Sequence, residues 1–286
     1  MSESGYDKSL MLTLRGRLVA LRKPLVMGII NVTPDSFHAG SRAMKAADAV
    51  GMARTMLSEG ADILDIGGCS TRPGSESVRA EEELRRLERP LEAIREAFPN
   101  AVISVDTFRA SVARECIERW NVDIINDISG GEDPEMASTV ARAGVAYILM
   151  HIRGVPADMD SRTDYDDVVA DVTRELAFRL DSLRAQGVWN VIVDPGFGFA
   201  KTTEQNYALL AHLDRLKILG CPLLVGMSRK RMAREAAQCD ASEALIPTVA
   251  LNSVALMKGA SIIRVHDVKE GVQTAKVIEK LWLASE

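Results

Sequence analysis

Very little in this chain suits it to nucleic acid, to a membrane or to an oxidising compartment. Its 35 basic residues are outnumbered by 40 acidic ones, the net charge is -5, and both signs are spread along the chain. A nucleic-acid partner would need a basic face, so none is expected, although a few local cations can still hold a small anion. The four cysteines, Cys69, Cys116, Cys221 and Cys239, share no short spacing. Without a C-x-x-C pair, neither a zinc site nor a thiol redox motif is expected, only inert thiols in reducing surroundings. No apolar run approaches the roughly 20 residues of a membrane span. The opening "MSESGYDKSLMLTLRGRLVALRK" has no stretch resembling a signal peptide. The expected setting is therefore the cytoplasm, with no membrane partner. Gly/Ser-rich linkers, low-complexity tracts and close internal repeats are missing too. Residues 1–286 accordingly read as a single domain, a length ordinary for a closed α/β barrel.

What the chain does have is a set of short apolar runs: "LVMGII", "DILDIG", "AVISVD", "VDIIND", "VAYILMH", "NVIVDPG", "CPLLVGMS" and "SIIRVHD". They are nearly continuous in Val, Ile and Leu, as strands buried on both faces of a parallel sheet must be. Helical spacing fills the gaps between them. Leu84, Leu87, Leu91, Ile94 and Phe98 step by three and four, as do Val169, Val172, Leu176, Leu180 and Leu183, before Gly187 stops the helix. Strand and helix alternating eight times predict a (β/α)8 TIM barrel, with a doubly wound sheet as the alternative. "LTLRGRLVAL" predicts a short N-terminal hairpin that plugs the lower end of the barrel.

The ends of these runs are polar: Asn31, Asp65, Asp106, Asn126, His151, Asp194, Ser228 to Lys230, and Arg264 with His266. One Asp after a strand is ordinarily a helix cap. Amides, carboxylates and cations at every strand end fit caps poorly, and in a barrel all strand ends share one mouth. Asp106, Asn126 and Asp194 present acceptors and a donor to a flat, nitrogen-rich ring such as a guanine or a pterin. Asn31, Arg264 and His266 are expected opposite them as a corner for phosphate oxygens. The run "GMSRKR" (Ser228, Arg229, Lys230, Arg231) sits at a helix start that favours an anion. Residue chemistry thus points to a planar ring carrying a phosphate, without naming a reaction.

At these residues the chain resembles the dihydropteroate synthase family. The resemblance rests on "GIINVTPDSF", "DIGGCSTRPG", "SVDTF", "NDISGG", "MH", "DPGFGFAKT", "GMSRK" and "RVHDV", in the family's order, from about Pro24 to the end. It implies a TIM barrel that joins a dihydropterin methyl diphosphate to 4-aminobenzoate, with Mg2+ as cofactor, sulfonamides as inhibitors and a homodimer as the assembly. By resemblance, Asp106, Asn126 and Asp194 bind the pterin, Lys230 reaches its carbonyl or N5 edge, and Ile128, Met150, Phe199 and Gly226 line the slot for its ring. Arg264, His266 and Asn31 hold the diphosphate, and Asn31 also meets the metal. Asp35, Phe37, Ser70, Thr71, Arg72 and Pro73 belong to loops that close over the site and form the aminobenzoate pocket.

The chain departs from the family's pattern at three places: "HAGS" at His38 to Ser41, Cys69, and Arg231 in place of a Ser that helps bind the aminobenzoate carboxylate. An Arg there is expected to favour a true carboxylate over a sulfonamide. Asp65 is left out of the site as a buttress of the second loop, and His151 is placed evenly between core and site. The run "RAEEELRRLERP" (Arg79 to Pro90) is read as a solvated helix face. Two rival functions remain: a pterin-dependent methyltransferase, against which "STRPG", "SRK" and "RVHD" count, and a pterin-phosphate-binding paralogue without turnover. A phosphosugar barrel enzyme lacks support, because no lysine for a Schiff base ends a core strand.

Overall fold

The apolar runs pair into one ring of parallel strands. The computed structural model describes residues 9–33, 46–69 and 78–284. A hairpin of β1 (Met11–Leu14) and β2 (Arg17–Ala20) precedes the ring. The barrel strands are β3 (Leu25–Asn31), β4 (Ile63–Gly67), β5 (Val102–Asp106), β6 (Ile124–Asp127), β7 (Ala146–Met150), β8 (Val191–Asp194), β9 (Leu224–Val225) and β10 (Ile262–Val265). Their order is β8-β7-β6-β5-β4-β3-β10-β9. A parallel bridge between Val193 and Leu223 closes the ring, with the Val193 N–H donating to the Pro222 carbonyl at 2.9 Å. That closure selects the barrel over the doubly wound sheet.

Nine α-helices lie among the described residues: α1 (Ala46–Glu59), α2 (Ala80–Ala97), α3 (Ala110–Trp120), α4 (Met136–Ala143), α5 (Val168–Ala185), α6 (Thr203–Ala211), α7 (Arg231–Ala237), α8 (Leu245–Met257) and α9 (Val268–Leu283). None of them is long and apolar enough to cross a membrane. Their apolar stripes pack on the strands: Leu87, Leu91 and Ile94 of α2 are fully buried, as are Val172 and Leu176 of α5. The helix α2 corrects one expectation. Glu83, inside the run taken as a solvated face, is fully buried and accepts from Arg109. Positions 83, 87, 91 and 94 step by four, four and three, so Glu83 continues the apolar stripe and needs a cation on the inside.

The hairpin covers the end of the barrel away from the strand ends. The Thr13 N–H donates to Asn190 Oδ1 at 3.0 Å, and Asn190 Nδ2 donates back to the Thr13 carbonyl at 2.7 Å. Asn190 stands just before β8, and Leu12 and Leu14 are buried beneath the ring. With that end sealed by apolar side chains, polar chemistry is confined to the opposite mouth. Strand register places the mouth residues side by side: Asn31 pairs with Gly67, Gly67 with Asp106, Asp106 with Asn126, and Met150 with Asp194.

Candidate active site

The floor of the mouth is an ion cluster joining three strands. Arg264, on β10, donates from Nε to Asp65 Oδ2 at 2.6 Å and from Nη2 to Asp106 Oδ2 at 2.9 Å. Asn126 Nδ2 donates to the same Asp65 oxygen at 3.1 Å. Asp65 is fully buried, and its Oδ1 finds no hydrogen-bond partner among the described residues. It serves as the central post on which Arg264 and Asn126 are set. The expectation of Arg264 in a corner opposite the carboxylates is corrected by this geometry. A carboxylate buried as deeply as Asp65 needs a paired cation, and Arg264 supplies it. One edge of the guanidinium is thereby pinned, and Nη1 has no hydrogen-bond partner among the described residues. Burial pushes the Asp106 carboxyl up to about 7, against the pull of Arg264 and with help from Asp65. Burial works against the Arg264 charge, but Asp65 and Asp106 together hold it protonated.

Asp194 ends β8 on the far side of the mouth, with its Oδ1 accepting the Gly196 N–H at 2.7 Å. Burial raises its carboxyl, while Lys230 and the Gly196 N–H pull it back. Lys230 runs over the loop at 195–202. Its ammonium donates to the Phe197 carbonyl and lies 4.4 Å from the centre of the Phe199 ring. A Cβ on Gly198 would come within 3.0 Å of Lys230 Cδ, so glycine there lets the lysine cross. Burial lowers Lys230 to about 8, with Asp194 and Asp106 acting to keep it charged. Beside it sits a small apolar cluster, separate from the main core, of Ile128, Met150, Ile152, Met159 and Ala200 with Phe108 and Phe199 against it. Ile128, Met150 and Phe199 thus meet in one apolar cluster. Phe108 and Ala200 join them unforeseen.

At the β9–β10 side, His266 donates its backbone N–H to Ser228 Oγ at 3.3 Å, and its Nδ1 lies 2.9 Å from the same oxygen. The Ser228 hydroxyl thus meets His266 twice, once through the backbone and once through the ring. Asn31 and Asp106 flank Gly67, where a Cβ would lie 3.5 Å from Asn31 Oδ1 and 3.5 Å from Asp106 Cβ. The missing side chain keeps the mouth open between them. Gly226 faces Arg264, whose Cβ would stand 3.8 Å from a Cβ there. Arg231 opens α7 half-exposed, within 3.4 Å of the Lys201 carbonyl and 3.8 Å of Glu235. It borders an open hollow of about 430 Å³ with Arg234, Glu235, Gln238, Cys239, Asp240 and Glu243, and none of the strand-end residues lines that hollow.

His151 lies beneath the mouth, buried between Lys201 and Glu175. Asp35, Phe37, Ser70, Thr71, Arg72 and Pro73 lie outside the described residues. Among the described residues no three His, Cys, Asp or Glu side chains gather as a metal site. Asn31 would offer a cation one neutral oxygen, which fits an ion carried chiefly by phosphate oxygens and water. Asp65, expected only to buttress the second loop, instead anchors Arg264 and Asn126, and it shares the inward parity of Gly67 two residues on. Lys201, within "DPGFGFAKT", carries no sequence signal that marks it out.

The family described as pterin binding enzyme matches residues 27–266. A dihydropteroate synthase of Synechocystis is 44% identical over 265 residues, covering 91% of this chain and 91% of its own length. The solved dihydropteroate synthase of Yersinia pestis, in a sulfonamide drug complex, superposes with a TM-score of 0.89 at 41% identity, over 95% of this chain and 99% of that one. The Xanthomonas albilineans dihydropteroate synthase, solved with 4-aminobenzoic acid, has a TM-score of 0.88 at 40% identity, over 95% of this chain and 97% of its own.

Proposed function

We propose a residue-level working of the mouth for a chain that belongs to the dihydropteroate synthase family. It is a transferase of folate synthesis, joining (7,8-dihydropterin-6-yl)methyl diphosphate to 4-aminobenzoate with release of diphosphate. The methyltransferase and non-catalytic readings have nothing comparable behind them. The observation that carries the residue roles is the meeting of Asp106, Asn126, Asp194, Lys230 and Arg264 over one buried floor.

In this reading the carboxylates of Asp106 and Asp194 accept the ring and amino N–H groups of the pterin, and Asn126 supplies both a donor and an acceptor. Lys230 donates to the carbonyl or N5 edge, and the Ile128, Met150 and Phe199 cluster takes the ring. Arg264 Nη1, His266 Nε2 and Asn31 face the diphosphate. Asn31, together with the diphosphate, would hold a Mg2+ ion, which would neutralise charge on the leaving group. The C–O bond breaks with its electron pair leaving on the diphosphate, and the cation left at the methylene is delocalised into the electron-rich ring. The arylamine, neutral at pH 7, donates its lone pair to that carbon and then loses a proton, so no general base is assigned. Loops carrying Asp35, Phe37, Ser70, Thr71, Arg72 and Pro73 are assigned to exclude water and hold the aminobenzoate.

Diphosphate release should require both Mg2+ and the dihydropterin substrate, and should accompany dihydropteroate formation when 4-aminobenzoate is added. Binding of the dihydropterin diphosphate with no release under any of these conditions would instead support the non-catalytic paralogue. Arg231 is assigned to the aminobenzoate carboxylate. Arg231→Ser should raise the aminobenzoate KM by on the order of 10-fold while changing a sulfonamide Ki less; an unchanged ratio of the two constants rejects that role.

A homodimer in the cytoplasm completes the proposal. On α8, Ile246, Ala250, Val254 and Met257 form an exposed stripe at steps of four, four and three, and Val277 and Leu281 are exposed on the neighbouring α9. Apolar surface of that kind favours burial against a second copy. Sedimentation should give a dimer that Val254→Glu shifts toward monomer. A monomer in the unaltered protein at micromolar concentration counts against it.

A further inference from the structure

Lys201 is a buried lysine that the chemistry above does not use. Its side chain is 2% exposed, beneath the loop at 195–202. The ammonium has three acceptors: His151 Nδ1 at 3.0 Å, the Gly196 carbonyl at 3.1 Å and the Phe199 carbonyl at 3.0 Å. Burial lowers Lys201 to about 7 while Asp194 acts to keep it charged, and three acceptors match the three protons of its ammonium form. The first of them depends on a further pair. His151 Nε2 lies 3.0 Å from Glu175 Oε2, while Arg153 Nε donates to Glu175 Oε1 at 3.0 Å. Burial lowers His151 to about 4, and hydrogen bonding to His151 and Arg153 holds Glu175 down at about 2. A neutral imidazole beside a carboxylate donates from Nε2, and Nδ1 then presents a lone pair to Lys201.

The loop so gripped has a costly backbone. Gly196 has φ +71° and Gly198 φ +78°, and Ala200 holds φ +49°, a left-handed conformation that disfavours any residue with a Cβ. A Cβ on Gly196 would fall 1.9 Å from the His151 carbonyl, so the loop also lies hard against the end of β7. These turns direct the Gly196 and Phe199 carbonyls inward to the ammonium. They direct the Phe199 ring outward to Lys230 and the apolar slot.

We propose that Lys201 is a positioning residue for pterin binding: docked on His151, whose tautomer Glu175 sets, its ammonium locks the loop at 195–202 so that Phe199 stands against Lys230 in the ring slot. This rests on the pterin reading of the mouth. Lys201 touches no substrate in this account and acts through Phe199.

A double-mutant cycle reads that dependence. Lys201→Met preserves the length and burial of the stem and removes its donors. It should raise the KM for the dihydropterin diphosphate and the Kd for 6-hydroxymethylpterin by about 10-fold or more, with kcat within about 3-fold. Phe199→Ala alone should weaken both as well. In the Phe199→Ala background, Lys201→Met should add less than about 2-fold. Full multiplication of the two effects, or no effect of Lys201→Met alone, overturns the proposal. If Phe199→Ala leaves pterin affinity unchanged, the ring slot itself is wrong and the proposal falls with it.

A second variant keeps the proposal testable if Lys201→Met does not fold. With Glu175→Gln, Arg153 holds the amide oxygen, the amide NH2 turns to His151 Nε2, and the imidazole proton moves to Nδ1 against the ammonium. The ¹⁵N shifts of His151 should therefore show Nε2 protonated in the unaltered protein and Nδ1 protonated in the variant, with a matching rise in the pterin Kd. Unchanged shifts or an unchanged Kd overturn the proposal.

Discussion

Arg264→Ala should lose about 3–5 kcal/mol of stability at pH 7, because it strips the cation from two carboxylates that the fold keeps out of water. Asp65 is fully buried and Asp106 nearly so, and both take their charged hydrogen bond from this one guanidinium. The loss should depend on pH with a definite sign. Burial already raises Asp106 to about 7, and removing the guanidinium can only raise it further. A carboxyl raised in the folded state above its unfolded value binds more protons when folded, so stability falls as pH climbs through the folded value. The variant should thus be closer to the unaltered protein at pH 5 than at pH 8. Arg264→Lys should recover little, since one ammonium replaces two N–H groups aimed at separate carboxylates. Urea denaturation at both pH values measures this. A loss below about 1 kcal/mol would mean the cluster is not what holds the three strands' polar ends together.

Asp194→Asn should lower kcat/KM for the dihydropterin substrate by on the order of 10²–10³, with the fold intact. The amide can keep the Gly196 N–H bond through its oxygen, so the β8 turn survives. What it loses is a charged acceptor for two N–H groups, and it turns an NH2 toward a site built to accept. Lys230, which faces Asp194, also loses the charge that helps keep it an ammonium. The aminobenzoate KM should move by less than about 3-fold, because that substrate meets other residues. Steady-state kinetics with each substrate varied in turn decide it. Equal effects on both substrates would place Asp194 in general stability rather than in pterin recognition.

How much of this could be read from residues alone depended on whether a signal was local. The strands carry their own signature, because burial on both faces forces unbroken Val, Ile and Leu. The mouth followed from the fold, since parallel strands in a ring must end together. Ile128, Met150 and Phe199 come from three separate strand-end segments and do meet. Asp65 was legible only in part. Its inward parity is visible in "DILDIG", but its partner lies 199 positions away on β10. Glu83 was hidden by composition: ten charged residues crowd its helix, and only the four-four-three step to Leu87, Leu91 and Ile94 gives it away. Lys201 had no sequence signal. Two of its three partners are backbone carbonyls aimed by left-handed turns, and a string of letters does not show those.

A crystal structure with a dihydropterin bound tests the convergence of the mouth most directly. The ring should lie against Ile128, Met150 and Phe199, with its N–H edge on Asp106, Asn126 and Asp194 and its carbonyl edge on Lys230. A ring seated in the hollow beside α7, or anywhere that leaves Asp194 and Asp106 without contact to it, would contradict the account.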